Sequence, residues 1–123
     1  MIAHLGYNVS DFTKAKEMYK RALAPLGISL KMEGEGHAGF GSGENLELWI
    51  GATSDKHPII ATDVHVCFMA KNREEVDMFY SEGLAAGFKD NGASGIREHY
   101  APNYYAAFLL DLDGNNIEAV CFN

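Results

Sequence analysis

The sequence predicts an α+β domain, and three observations carry that expectation. The 123 residues repeat at an offset of 61, which puts His4 on His65, Tyr19 on Tyr80 and Leu23 on Leu84. The same offset puts Val9 on Ala70 and Ala15 on Val76. Each half holds one stretch with apolar residues three and four apart, the helical period, and several with the two-residue alternation of a strand. No Pro/Ser linker, charge block or low-complexity stretch separates the halves. They read as two modules, about 1–60 and 61–123, of a single domain.

Each element follows from its side chains. Residues 2–9 predict a strand with Ala3, Leu5, Tyr7 and Val9 on one face and Ile2, His4, Gly6 and Asn8 on the other. In the first helix Phe12, Ala15, Tyr19, Ala22, Leu23 and Leu26 form an apolar stripe, with Ser10 as the expected cap and Pro25 and Gly27 as the stop. Glycine-rich residues 34–43 predict hairpins. Next, Leu46, Leu48 and Ile50 oppose Asn45, Glu47, Trp49 and Gly51. The second half opens with Val64, Val66, Phe68 and Ala70 against Asp63, His65, Cys67 and Met69. A helix over 73–86 follows, capped by Asn72 with Glu75 three residues on, and with Val76, Phe79, Tyr80 and Leu84 inward. Residues 83–95 predict further turns, Asp111–Gly114 a hairpin turn, and 116–122 a last strand in which Ile117, Ala119 and Cys121 oppose Asn116, Glu118, Val120 and Phe122.

Composition narrows the function classes. Lys plus Arg number 10 against 17 Asp plus Glu, a formal charge of −7, which argues against a nucleic-acid backbone or an anionic membrane as partner. No apolar run reaches the roughly 20 residues of a membrane helix, and no leader pattern opens the chain. Cys67 and Cys121 form no CxxC. The expectation is a cytoplasmic protein.

Four strands each place one His or Glu in the middle of the face turned away from the helices: His4, Glu47, His65 and Glu118. If those faces curl together, two imidazoles and two carboxylates line one cavity, a set suited to a divalent ion such as Zn, Ni, Fe, Mn or Co. Taken singly, each is as well read as a hydrogen-bonded or solvated strand residue. The repeat adds weight, because His begins each half and Glu stands in the last strand of each. Trp49 shares the Glu47 face and is a candidate pocket wall or dimer contact. Tyr100 and Tyr105 are candidate pocket residues, and Arg97 a candidate partner for a substrate carboxylate or for a nearby acid such as Glu98. Cys67 reads as a small apolar filler.

The stretches IAHLGYNVSDFTKAKEMYKRALAPLG, ENLELWIG, DVHVCFMA and YAPNYYAAFLLDLDGNNIEAV together resemble the vicinal oxygen chelate superfamily, the glyoxalase/bleomycin-resistance/extradiol-dioxygenase group. That resemblance implies two βαβββ modules curling round a metal, and a homodimer. It places His4, Glu47, His65 and Glu118 on the metal-ligand positions of glyoxalase I enzymes, with Glu118 and Glu47 as candidate bases. It implies a lyase or isomerase acting on a small carbonyl or thiol-conjugated substrate, with a metal-free binding protein or an Fe(II) dioxygenase as alternatives. Glutathione-dependent members often carry arginine and asparagine where this chain has Asn8 and Gly51, so the glutathione-holding pair is missing.

Overall fold

Asp11, one residue beyond the expected Ser10, caps the first helix. Its carboxylate accepts the Lys14 amide at 3.1 Å and leaves α1 to span Phe12–Leu23. A single 3-10 turn through Pro25 ends it at Gly27, whose φ of 76° is the left-handed stop that glycine takes freely. Asn72 caps α2, Arg73–Ala86, by accepting from the Glu75 amide. The Glu75 carboxylate reaches back to the amide of Lys71, one residue earlier than a capping box would take it.

The computed structural model describes residues 1–123. Around the helices run β1 (Leu5–Val9), β2 (Ser29–Gly34), β3 (His37–Gly41), β4 (Leu48–Ala52), β5 (His65–Met69), β6 (Lys89–Ile96), β7 (Tyr105–Leu110) and β8 (Asn116–Cys121). Two separate four-stranded sheets result, ordered β1-β4-β3-β2 and β5-β8-β7-β6, with β1∥β4 and β5∥β8 the parallel pairs. This is the expected pair of βαβββ modules. The strand starting at residue 2 begins only at Leu5, and the glycine-rich stretch 83–95 splits between the end of α2 and strand β6.

Each sheet turns its apolar face to the helices. Val9, Phe40, Leu48 and Ile50 from one sheet, and Leu109, Ile117 and Ala119 from the other, join Tyr19, Leu23, Val76 and Phe79 in one core. Each of the Val, Leu, Ile and Phe side chains among them contributes roughly 1.5–3 kcal/mol by leaving water. The helices pack on each other through Gly83, where an added Cβ would lie 2.2 Å from Leu109 Cδ1 and 3.6 Å from Ala22 Cβ. Gly83 takes the inward position here, and Leu84, expected inward, is 39% exposed.

A buried polar knot joins the modules. Tyr7 and Tyr19 share a hydroxyl contact of 2.7 Å, and Tyr19 Oη donates to Asp111 Oδ2 at 2.7 Å. Asp111 Oδ1 accepts the amides of Asp113 and Asn115, and Asn115 Nδ2 donates to Asp111 Oδ2 and to the linker carbonyl of Ala61. Burial and the nearby Asp111 carboxylate hold the Tyr19 phenol well above its ordinary range, and burial does the same for Tyr7. The turn at 111–114 is the expected hairpin connection, and it is also a clasp between halves.

Candidate functional site

The faces turned away from the helices carry the candidate residues. On the first sheet, His4 and Glu47 immediately precede the paired residues Leu5 and Leu48, and the Leu5 amide donates to the Glu47 carbonyl at 3.0 Å. Glu47 is anchored by the Ser42 amide on Oε2 (3.0 Å) and the Ser42 hydroxyl on Oε1 (2.8 Å). Ser42 follows β3 and holds this carboxylate in place, a contact that strand alternation alone does not reveal.

On the second sheet, Cys67 stands opposite Glu118, and Glu118 opposite Phe108. Glu118 is only 2% exposed. His65 Nε2 lies 2.9 Å from its Oε1, and the Tyr104 hydroxyl donates to its Oε2. Desolvation and this bond hold the Tyr104 phenol above its ordinary range. Desolvation, with the neighbouring Glu118 carboxylate, pushes the Cys67 thiol up to about 12. Cys67 is thus a neutral thiol bordering the site, and an exposed one rather than the expected filler.

Three hollows border these residues. One of about 480 Å³ is lined by His4, Glu47, His65 and Cys67. Another of about 500 Å³ is lined by His65, Tyr100, Tyr104, Phe108 and Glu118, so His65 forms a wall of both. The third, about 450 Å³, lies over Trp49. Tyr100 lines the second of these hollows. Tyr105 does not: its hydroxyl donates to Asp77 on α2 at 2.6 Å and its ring lies under Arg73, on the helix side of the sheet. Tyr104 takes the role instead, because residues 104, 106 and 108 share the Glu118 face. Arg97 donates to the Ala93 carbonyl and lies over Phe108, and it makes no ion pair with Glu98.

The four donors suit a divalent ion in kind; in one chain His4, Glu47 and His65 border one hollow and His65 and Glu118 another, with only His65 and Glu118 in direct contact. No three His, Cys, Asp or Glu side chains converge closely enough to hold an ion. The carboxylates are also not equivalent in the repeat. Leu5 pairs with Leu48 where Val66 pairs with Ile117, so the first-module counterpart of Glu118 is Trp49, not Glu47.

A family model described as Glyoxalase/Bleomycin resistance protein/Dioxygenase superfamily matches residues 1–119, and the chain belongs to that superfamily. Among solved structures it is similar to a glyoxalase/bleomycin resistance protein from Albidiferax ferrireducens T118, at 27% identity and a TM-score of 0.81 over 98% of this chain and 97% of that one. A glyoxalase/bleomycin resistance protein/dioxygenase family enzyme from Burkholderia phytofirmans PsJN shares the fold at 16% identity and TM-score 0.73, covering 98% of each chain. So does lactoylglutathione lyase from Agrobacterium tumefaciens, at 22% identity and TM-score 0.66, over 98% of this chain and 92% of that one. No curated protein matches the chain. No helix is long and apolar enough to cross a membrane.

Proposed function

We propose that this protein is a glyoxalase-type lyase or isomerase acting on a small carbonyl or thiol-conjugated substrate. It works as a homodimer in the reducing cytoplasm, consistent with its two free thiols. The observation that carries the reading is Glu118, a buried carboxylate gripped on both oxygens by His65 and Tyr104 at the edge of a hollow. Such a group is placed to move a proton. The division of donors into two pairs on two sheets supports a shared site, with His4 and Glu47 of one copy meeting His65 and Glu118 of the other round a divalent Zn, Ni, Mn, Co or Fe ion. Bound there, the ion would supply Lewis-acid polarisation of adjacent substrate oxygens.

The chain's own residues do the rest. Glu118 takes the proton from the carbon beside the carbonyl and returns it to the neighbouring carbon. Tyr104 keeps Oε2 engaged, His65 orients Oε1, and Ser42 steadies Glu47. The substrate is not held as glutathione would be. The Asn8 amide is committed to the carbonyls of His57 and Ile59, and an added Cβ at Gly51 would meet Asn8 Oδ1 at 2.9 Å.

Elemental analysis of tag-free protein, beside His4→Ala and Glu118→Gln variants, tests the reading. Near-stoichiometric ion, lost in both variants, is the expected result, together with isomerisation of small hemithioacetals. Iron as the retained ion would favour oxygenase assays. A metal-free binding protein is the second reading, favoured by the absence of three converging donors in one chain. Protein that neither retains nor rebinds any ion sinks the first reading and leaves the second.

A further inference from the structure

β5 is an edge strand, bonded to β8 alone, and it carries His65 at its first position. The two partners in the His65–Glu118 contact are held very differently. The Glu118 side chain is 2% exposed and fixed by its surroundings, whereas that of His65 is 54% exposed. Little packing holds the imidazole, so its reach to Glu118 Oε1 depends on the height at which β5 lies along β8. Side-chain alternation does not set that height, because a two-residue slip is silent to it. Strand ends are also where a sheet frays, their outermost amides having no partner across the ladder.

Asn115, the residue before β8, closes this end and is fully buried. Its Oδ1 accepts the Val64 amide at 3.0 Å, and its Nδ2 donates to the Ala61 carbonyl at 2.8 Å and to Asp111 Oδ2 at 2.9 Å. The Val64 carbonyl in turn accepts the Asn116 amide at 2.8 Å. Val64 is therefore bonded to the head of β8 through both its backbone groups, one of them by a side chain standing in for main chain. The partners require one acceptor and two donors, which a carboxamide supplies and an ionised Asp or a Ser does not. The first module lacks this peg. Register puts Leu46 at the station of Asn115, and there β1 starts at Leu5, one residue past His4, while β5 starts at His65 itself.

We propose that Asn115 is a positioning residue, which pegs the head of β5 at the height where His65 meets Glu118. The peg is itself anchored, because the Asp111 carboxylate that orients its Nδ2 is held by the Tyr19 hydroxyl and by the amides of Asp113 and Asn115. Its weight in turnover rests on the isomerase reading above. The placement of His65 does not, and it is measured without substrate.

Histidine-ring proton–nitrogen NMR spectra of the intact protein at pH 8 provide the test, with His65→Gln to assign the His65 signals. Wild-type His65 should show one predominant ring tautomer: Nε2–H where that nitrogen meets the Glu118 carboxylate, Nδ1–H where it carries an ion. Asn115→Ala removes the peg, and Val64→Pro deletes the amide that the peg holds. Each should move His65 towards the tautomer mixture of a free imidazole and lower kcat of the proposed isomerisation about tenfold with KM little changed. Tyr19→Phe, which removes a different bond to Asp111, should lower the melting temperature and leave the His65 signature as in the wild type. Should both peg variants fail to fold, hydrogen exchange in the wild type decides: the Val64 amide should exchange at least about tenfold more slowly than unbonded loop amides. A wild-type His65 already in the free mixture, an unchanged signature in a folded peg variant, an equal shift in Tyr19→Phe, or a Val64 amide exchanging as fast as an unbonded one overturns the proposal. The expected His65 shift in protein without isomerase activity supports the placement and sinks only the enzymatic reading.

Discussion

The two modules share a plan and differ in where the acid stands, two residues apart along the equivalent strand. Each has a parallel pair of strands beside a helix and an imidazole at the head of its first strand. In the second module the station opposite Cys67 holds Glu118, and in the first the corresponding station, opposite Gly6, holds Trp49. The acid of the first module sits two residues earlier, outside the regular strand, and needs Ser42 to hold it. The second module therefore carries a buried, fully engaged carboxylate, and the first an indole platform with an acid at its margin. Duplication of a fold need not duplicate its chemistry.

That asymmetry can be broken experimentally. The largest effect is expected at Glu118: Glu118→Gln should lower kcat of the proposed isomerisation by about 10²–10⁴, and Glu47→Gln by less. Equal losses would make the acids functional twins and erase the distinction. The connections before the last strand of each module should differ next. Asp111→Ala removes the acceptor shared by the Tyr19 hydroxyl, the Asn115 side-chain amide and two backbone amides, and should cost about 2–4 kcal/mol in denaturant unfolding. Ser42→Ala, at the matching position of the first module, should cost only about 0.5–1.5 kcal/mol in the same measurement.

A further contrast lies in pH. The phenols of Tyr7 and Tyr19 are raised above their ordinary value near 10 in the folded state. Their contribution is therefore complete below about pH 10 and is lost as pH rises towards the folded values. Thermal melts between pH 9 and 11 should show stability falling with pH, and Tyr7→Phe should flatten that fall while costing about 1 kcal/mol at pH 7. An unchanged slope in Tyr7→Phe would remove this phenol from the alkaline titration.

Much of the fold was legible because side-chain period determines which face a residue joins. The inward sets Leu48/Ile50, Val66/Phe68 and Ile117/Ala119 lie on the helix side, and His4, Glu47, His65 and Glu118 on the other, as alternation requires. What alternation does not determine is a shift of two residues, because such a shift leaves every side chain on its own face. For that reason the inequivalence of Glu47 and Glu118 was invisible in the sequence. Tyr105 was misjudged for another reason: four aromatic and turn residues in a row hide where β7 begins, and without that start the parity of Tyr104 and Tyr105 is undefined. The clasp of Tyr7 and Tyr19 on Asp111 spans residues far apart in the chain, beyond any local pattern.

The clasp also bears on what could be built from this chain. Two stacked copies of residues 61–123 look like a simple route to a symmetric protein, since the halves align so readily. Yet at the 61-residue offset Tyr7 becomes Phe68 and Asn8 becomes Met69. The hydroxyl that touches Tyr19 and the amide that grips the linker would both disappear. The halves are not interchangeable bricks. Each carries one side of a fastening, and a designer who wanted symmetry would have to supply the missing side first.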